Sequence, residues 1–307
     1  MQDNRSKTIL VTGATGYQGG ATARHLLTRG FSVRALTRNP DQAQAHLLMR
    51  KGAAIAAGNL NDGASIEKAL QGAYGVFSVQ DYWEHGAVEE IKQGKGLIDA
   101  ARMAGIRHFV YTSVASADRD TNLPHFESKR IIENHLRASG LPYTILRPVF
   151  FMENLNTDRE RILVGRLSLA LPPETRLQMI AVDDIGAMAA LAFNEPENFL
   201  GRTVEIAGAE VTAPQAAQIL SEVIGREVMA EEIPVETLRK SNPEVADMFA
   251  WLRDRGYEVD IPGLRTRHPW LQTFGEWVRA SGWEADGGRM ADLHEDLSHA
   301  ESPARTD

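Results

Sequence analysis

Thr8-Ile9-Leu10-Val11-Thr12-Gly13-Ala14-Thr15-Gly16-Tyr17-Gln18-Gly19-Gly20 sets an apolar run directly ahead of glycines spaced three apart. The run predicts a buried strand, and residues 21–28 predict a helix close behind it. In that context the glycines have separate tasks. Gly13 makes the tight turn, Gly16 lets backbone approach a pyrophosphate, and Gly19 brings helix and strand together. The helix N-terminus then aims unpaired N–H groups and the positive end of its dipole at the anion. Thr15, Tyr17 and Gln18 lie in the same loop.

Outward from this unit the pattern alternates. Strand-like segments at 32–36, 53–57, 75–79, 107–112 and 143–146 are separated by helix-like segments at 42–51, 64–70, 88–104 and 126–139. Such alternation predicts an α/β chain with a Rossmann-type, doubly wound parallel sheet. After Arg147-Pro148 the rhythm breaks, with a Pro172-Pro173 loop, a strand at 177–182 and a helix at 184–193. We therefore expect a dinucleotide-binding domain over 1–150, to which later strands are free to return. A smaller mixed α/β cap follows over 151–283, then an acidic, disordered tail over 284–307.

The chain has 307 residues, 43% of them hydrophobic, with no cysteine and a formal charge of −8. That composition suits a packed core, excludes disulfides and thiol chemistry, and argues against charge-driven nucleic-acid binding. No stretch is apolar and long enough to span a membrane, and nothing before the first strand resembles a secretory leader, so a cytoplasmic address is expected. No metal site is expected.

NAD-selective sites carry an acidic side chain about twenty residues past the glycine loop. Here Ala35-Leu36-Thr37-Arg38-Asn39-Pro40 offers no carboxylate, and Arg38 is suited to grip a ribose phosphate, so NADP or NADPH is the expected cofactor. The alternative is that Arg38 is a solvated loop charge. Gly58-Asn59-Leu60-Asn61-Asp62 reads either as a second contact, at the adenine edge, or as an ordinary turn.

At the reacting end, short-chain reductases place a tyrosine acid four residues before a lysine on one helix. Lys129 is present, but His125 stands where the tyrosine belongs. Ser113 occupies the position of a carbonyl-polarising serine. His125 reads either as an imidazole acid or as an inert helix-entry residue. Gln80, Asp81, Tyr82 and Trp83 follow the fourth strand, where the two aromatic rings either stack on a planar ligand or pack against the cap. Lys92, on the next helix, reads as a cofactor contact or as exposed helix charge.

These pieces together resemble the NmrA-like family, an atypical short-chain dehydrogenase branch of NADP-binding regulators and reductases, and its redox sensors most closely. The resemblance rests on Gly-Ala-Thr-Gly-Tyr-Gln-Gly-Gly at 13–20, Thr-Arg-Asn-Pro at 37–40 and Tyr-Trp-Glu at 82–84. Lys-Gln-Gly-Lys at 92–95, His-Phe-Glu-Ser-Lys at 125–129 and Glu-Asn-Leu at 153–155 complete it. It implies cofactor contacts from the 13–19 loop, Arg38, Asn59, Leu60, Gln80, Asp81, Tyr82, Lys92, Lys129, Phe151 and Asn154. Asn59 departs from the aspartate common in relatives, which weakens the adenine contact. The resemblance implies a sensor that acts through a regulatory protein partner, or alternatively an NADPH-dependent reductase of quinones or similar planar substrates. The oligomeric state is open, a homodimer among the options.

Overall fold

In the computed structural model, residues 4–283 are described, and the expected acidic tail lies outside them. The first half alternates as its sequence requires: β1 (Thr8–Val11), α1 (Tyr17–Thr28), β2 (Ser32–Thr37), α2 (Ala43–Arg50), β3 (Ala54–Ala57) and α3 (Gly63–Leu70). It continues through β4 (Gly75–Ser78), α4 (Tyr82–Met103), β5 (His108–Thr112), α5 (Pro124–Ala138) and β6 (Tyr143–Pro148). The later half adds β7 (Phe150–Phe151), α6 (Arg159–Leu163), β8 (Arg166–Leu169), β9 (Leu177–Ile180), α7 (Val182–Asn194), α8 (Pro196–Phe199) and β10 (Arg202–Ile206). It ends with β11 (Ala209–Val211), α9 (Ala213–Ile224), β12 (Met229–Glu232), α10 (Val235–Ser241), α11 (Pro243–Asp254), α12 (Ile261–Arg267) and α13 (Phe274–Ala280).

Seven strands form one parallel sheet in the order β10-β6-β5-β4-β1-β2-β3. Strand order reverses between β1 and β4, so their C-terminal ends open a crevice that no crossover connection covers. Both faces of the sheet are apolar because successive strand residues point opposite ways. Ile9 and Val11 enter the core shared with Ala23, Leu26 and Met188, whereas Leu10 enters the one shared with Leu97, Ile98 and Leu136. A third core, around Leu167, Leu220, Trp251 and Trp277, belongs to the smaller lobe, whose short sheets pair β11-β9-β7 and β12-β8.

Two boundaries differ from expectation in ways that shape the site. α1 begins at Tyr17, so Gln18 and Gly19 lie in its first turn rather than in a loop ahead of it. α4 begins at Tyr82, six residues earlier than the apolar pattern implies, and is broken at Gly86 (φ 75°, ψ 174°). Only glycine adopts that backbone readily, which lets one short helical piece abut a longer one. Chain returning from the later half finishes the main sheet layers: β10 pairs with β6, and α7 packs on α1. That packing is close because Gly186 lacks a side chain, a Cβ there falling 2.5 Å from the carbonyl carbon of Ala21.

Candidate dinucleotide and substrate site

The crevice begins at the glycine turn. Gly13 has φ +57°, and a Cβ on it would lie 2.6 Å from Val79 Cγ1. Gly19 is closed more firmly, since its Cβ would lie 2.2 Å from the Gly13 carbonyl oxygen and 2.6 Å from that of Thr12. Gly16 differs: it is exposed, extended (φ −98°), and its Cβ would meet only Gly13 O at 3.5 Å. Gly16 is also the N-cap of α1 and brings no side-chain acceptor to the first-turn N–H groups. An uncapped helix end beside an exposed glycine is the anion cradle a dinucleotide pyrophosphate requires, so the residues present fit that group.

Hydrogen bonds fix this cradle to the strand ends. Thr12 Oγ1 donates to Val79 O at 2.9 Å and accepts from Val79 N at 2.9 Å, locking β1 to the end of β4. Thr112 Oγ1 donates to Gln18 Oε1 at 2.7 Å, tying α1 to β5. Thr15 is half-buried in the turn. Tyr17 is exposed, and partial burial first and the Glu153 charge second raise its phenol pKa.

Along the β2 side, Arg38 is held by Glu84 rather than standing free, with Nη1 and Nη2 donating to the two carboxylate oxygens at 2.7 and 2.9 Å. These hydrogen bonds lower the Glu84 pKa and raise that of Arg38. Asn59 builds a turn, its Oδ1 accepting from Asn61 N at 3.0 Å and its backbone N–H donating to Ser65 Oγ at 3.0 Å. Leu60 packs against the α3/α4 core. Lys92 points outward, side chain 66% exposed and paired with Glu89 at 3.2 Å, so the structure does not bring it to the other site residues.

Beyond β4 and β5 the walls combine buried polar groups with aromatic rings. Gln80 Nε2 donates to Ser78 Oγ at 2.9 Å, while Gln80 Oε1 and Ser113 Oγ are buried without a protein partner. Asp81 caps α4, accepting from Glu84 N at 3.0 Å. Tyr82 OH donates to both Glu244 oxygens, at 2.9 and 3.0 Å, bridging α4 to α11. Burial first, and Glu244 second, push its pKa upward.

His125 sits in the first turn of α5 with its ring centroid 5.6 Å from Tyr82, 5.2 Å from Trp83 and 4.8 Å from Phe126. Burial, assisted by the Lys129 charge, drives its pKa down to about 4, and neither ring nitrogen has a partner. It is a neutral imidazole at physiological pH.

Lys129 Nζ meets Glu90 Oε1 at 2.5 Å, and Ser128 Oγ donates to the other oxygen of the same carboxylate. On the opposite wall Phe151 is half-buried and Asn154 exposed. Between them in sequence, Glu153 accepts from Val182 N and Trp277 Nε1, each at 3.0 Å, and burial raises its pKa to about 7.

Sequence reasoning missed Glu90, Ser128 and Glu244, and gave Glu84 no role beyond a motif letter. Glu90 had a signal: with Gln93, Gly94, Leu97, Ile98 and Ala101 it falls on the buried stripe of α4, where an unpaired carboxylate is out of place. Glu244 had none, lying 162 residues from Tyr82. Among the described residues no group of three or more His, Asp or Glu side chains is arranged to hold a metal, and no helix is long and apolar enough to cross a membrane.

A family model described as the NmrA-like family matches residues 5–265. The chain belongs to the NmrA-like family. It is 31% identical over 256 residues to a (4-alkanoyl-5-oxo-2,5-dihydrofuran-3-yl)methyl phosphate reductase of Streptomyces griseus, covering 80% of this chain and 86% of the relative. It is 30% identical over 240 residues to an NAD(P)H azoreductase of Xenophilus azovorans, covering 76% and 79%. Among solved structures, an Escherichia coli NADPH-dependent quinone oxidoreductase complexed with NADPH superposes with a TM-score of 0.74 at 25% identity, over 89% of this chain and 99% of that one. This NmrA-like chain therefore has the NAD(P)-binding fold of its family, its glycine cradle at the sheet's switch point.

Proposed function

We propose that this NmrA-like protein is an NADPH-dependent reductase of planar acceptors, quinones among them. The observation that carries the reading is an open aromatic wall whose imidazole and phenol are not free acids. Trp83 is 58% exposed beside the buried His125, which is neutral, and the Tyr82 hydroxyl proton is committed to Glu244. Neither group is a ready proton donor, so the site suits an acceptor whose reduced form takes its proton from water. When bound, NADPH would supply a hydride, one proton with two electrons, and become NADP⁺.

In this reading the chain's residues bind and orient. Gly13, Gly16 and the first turn of α1 receive the pyrophosphate, Arg38 the ribose phosphate, and Lys129 the nicotinamide ribose. Ser113 Oγ, free of protein partners, donates to an acceptor oxygen, and Trp83 stacks on the acceptor ring. The reductase names of relatives 30–31% identical add support. A cytoplasmic setting is part of the proposal.

NADPH consumption by the purified full chain, followed by its absorbance with a panel of benzoquinones and naphthoquinones, tests it. Steady turnover that falls when NADH replaces NADPH is expected, and tight NADPH binding with no turnover on any acceptor refutes it. That second result would favour the other reading, an NADP(H) sensor with a regulatory protein partner or a second copy of itself. The Tyr82–Glu244 bridge favours it specifically, because a ligand that shifts Tyr82 would also move α11. A tenfold difference in affinity between two conformations supplies only about 1.4 kcal/mol, so such a sensor needs a nearly balanced equilibrium.

A further inference from the structure

The guanidinium assigned to the ribose phosphate already holds an anion belonging to the protein. Arg38 and Glu84 form two parallel N–H···O bonds, at 2.7 and 2.9 Å, from Nη1 and Nη2, the end-on edge of the guanidinium and one of the two edges that can hold a phosphate in this way. One guanidinium cannot present that edge to both anions. Glu84 rides on the short piece 82–85, which the non-helical backbone of Gly86 separates from the longer helix that follows. Trp83 is on the same piece, its ring centroid 5.2 Å from that of His125.

We infer that Glu84 is a built-in competitor for the 2′-phosphate of NADP(H) on Arg38, and that it thereby sets how strongly the site prefers NADP(H) over NAD(H). The inference rests on the dinucleotide reading above. NAD(H) has no phosphate at that ribose and leaves the Arg38–Glu84 pair intact. NADP(H) must displace the carboxylate, and it succeeds because the pair is weak: the Arg38 and Glu84 side chains are 57% and 43% exposed, which screens their attraction. Displacing Glu84 moves the piece carrying Trp83, so the phosphate at one end of the crevice is felt at the aromatic wall of the other.

The test is calorimetric titration of the full chain with NADP⁺, NAD⁺ and 2′,5′-ADP, the last carrying the phosphate without the nicotinamide. Wild type is compared with Arg38→Ala, Glu84→Gln and Glu84→Ala, each checked for an unchanged melting temperature. Both Glu84 variants should bind NADP⁺ and 2′,5′-ADP about two- to fivefold more tightly, the range an exposed ion pair provides, with NAD⁺ unchanged. Arg38→Ala should weaken the two phosphate-bearing ligands alone. Weaker NADP⁺ binding by the Glu84 variants, or an equal change for NAD⁺, overturns the competitor role. Wild type binding neither dinucleotide would instead refute the dinucleotide reading, while equal affinities for both with Arg38→Ala silent would refute the phosphate assignment to Arg38.

Discussion

The sequence motif gives Gly16 and Gly19 different tasks, and the structure predicts opposite consequences for Gly16→Ala and Gly19→Ala. At Gly19 a methyl group would sit 2.2 Å from one carbonyl oxygen and 2.6 Å from another, both backbone atoms of the β1–α1 turn. No side chain can rotate away to relieve that clash. Overpacking of this kind costs about 3 kcal/mol or more. In a chain this large each kcal/mol lowers Tm by about 2 °C, so Gly19→Ala should melt about 6 °C or more below wild type. At Gly16 the nearest protein atom to the methyl is at 3.5 Å and the backbone is extended, so the apo fold accommodates it. Alanine is a poorer N-cap than glycine by about 0.5–1 kcal/mol, and its smaller unfolded-state entropy offsets this by about 0.4–1 kcal/mol, leaving Tm within about 1 °C. The methyl instead occupies space the pyrophosphate needs. Loss of close approach should weaken NADP⁺ binding at least tenfold, about 1.4 kcal/mol. Differential scanning calorimetry and isothermal titration on the two variants separate these effects. Unchanged NADP⁺ affinity in Gly16→Ala, or unchanged Tm in Gly19→Ala, would refute the assignment of roles.

Two further predictions concern the reacting end. His125 has a folded-state pKa of about 4, below its unfolded value of about 6.5, so its stabilising contribution is complete above pH 6.5 and is lost as pH falls through that window. The stability of wild type relative to His125→Phe, measured by urea denaturation, should therefore drop by up to about 2 kcal/mol between pH 7 and pH 5, and a flat difference would show that His125 is not held neutral by burial. Lys129→Met strands the buried Glu90 carboxylate with Ser128 alone and should cost about 3 kcal/mol. Adding Glu90→Gln should recover part of that loss in a double-mutant cycle, whereas strictly additive losses would argue against coupling across α4 and α5.

The residues that make the fold legible are local. The run from Thr8 to Gly20 contains the strand, the turn glycines and the start of the helix within thirteen residues. The alternation after it predicts a parallel sheet because each helix covers the strand preceding it. That Lys129 and His125 share one helix, four residues apart, was legible for the same reason. Element ends were less so. The apolar pattern begins α4 near Val88, while the chain makes helix from Tyr82 because Asp81 caps it and Gly86 absorbs the break.

Electrostatic partners were beyond reach of any local pattern. Arg38 reads from sequence as a free cation at a strand end, yet its charge is answered 46 residues later by Glu84, after two more strands and helices have brought β2 beside the start of α4. Tyr82 meets Glu244 only because α11, from the smaller lobe, closes over the crevice. A charge's worth depends on its distance to other charges and to water, and both are set by how the layers stack. The chain's order of residues specified a dinucleotide fold and a cradle for an anion, since those depend on periodicity and on where a side chain is missing. Packing settled which of its charged and titratable groups stand free to meet a ligand, because burial and long-range contact alone determine whether Arg38, His125 and Lys129 are committed or available.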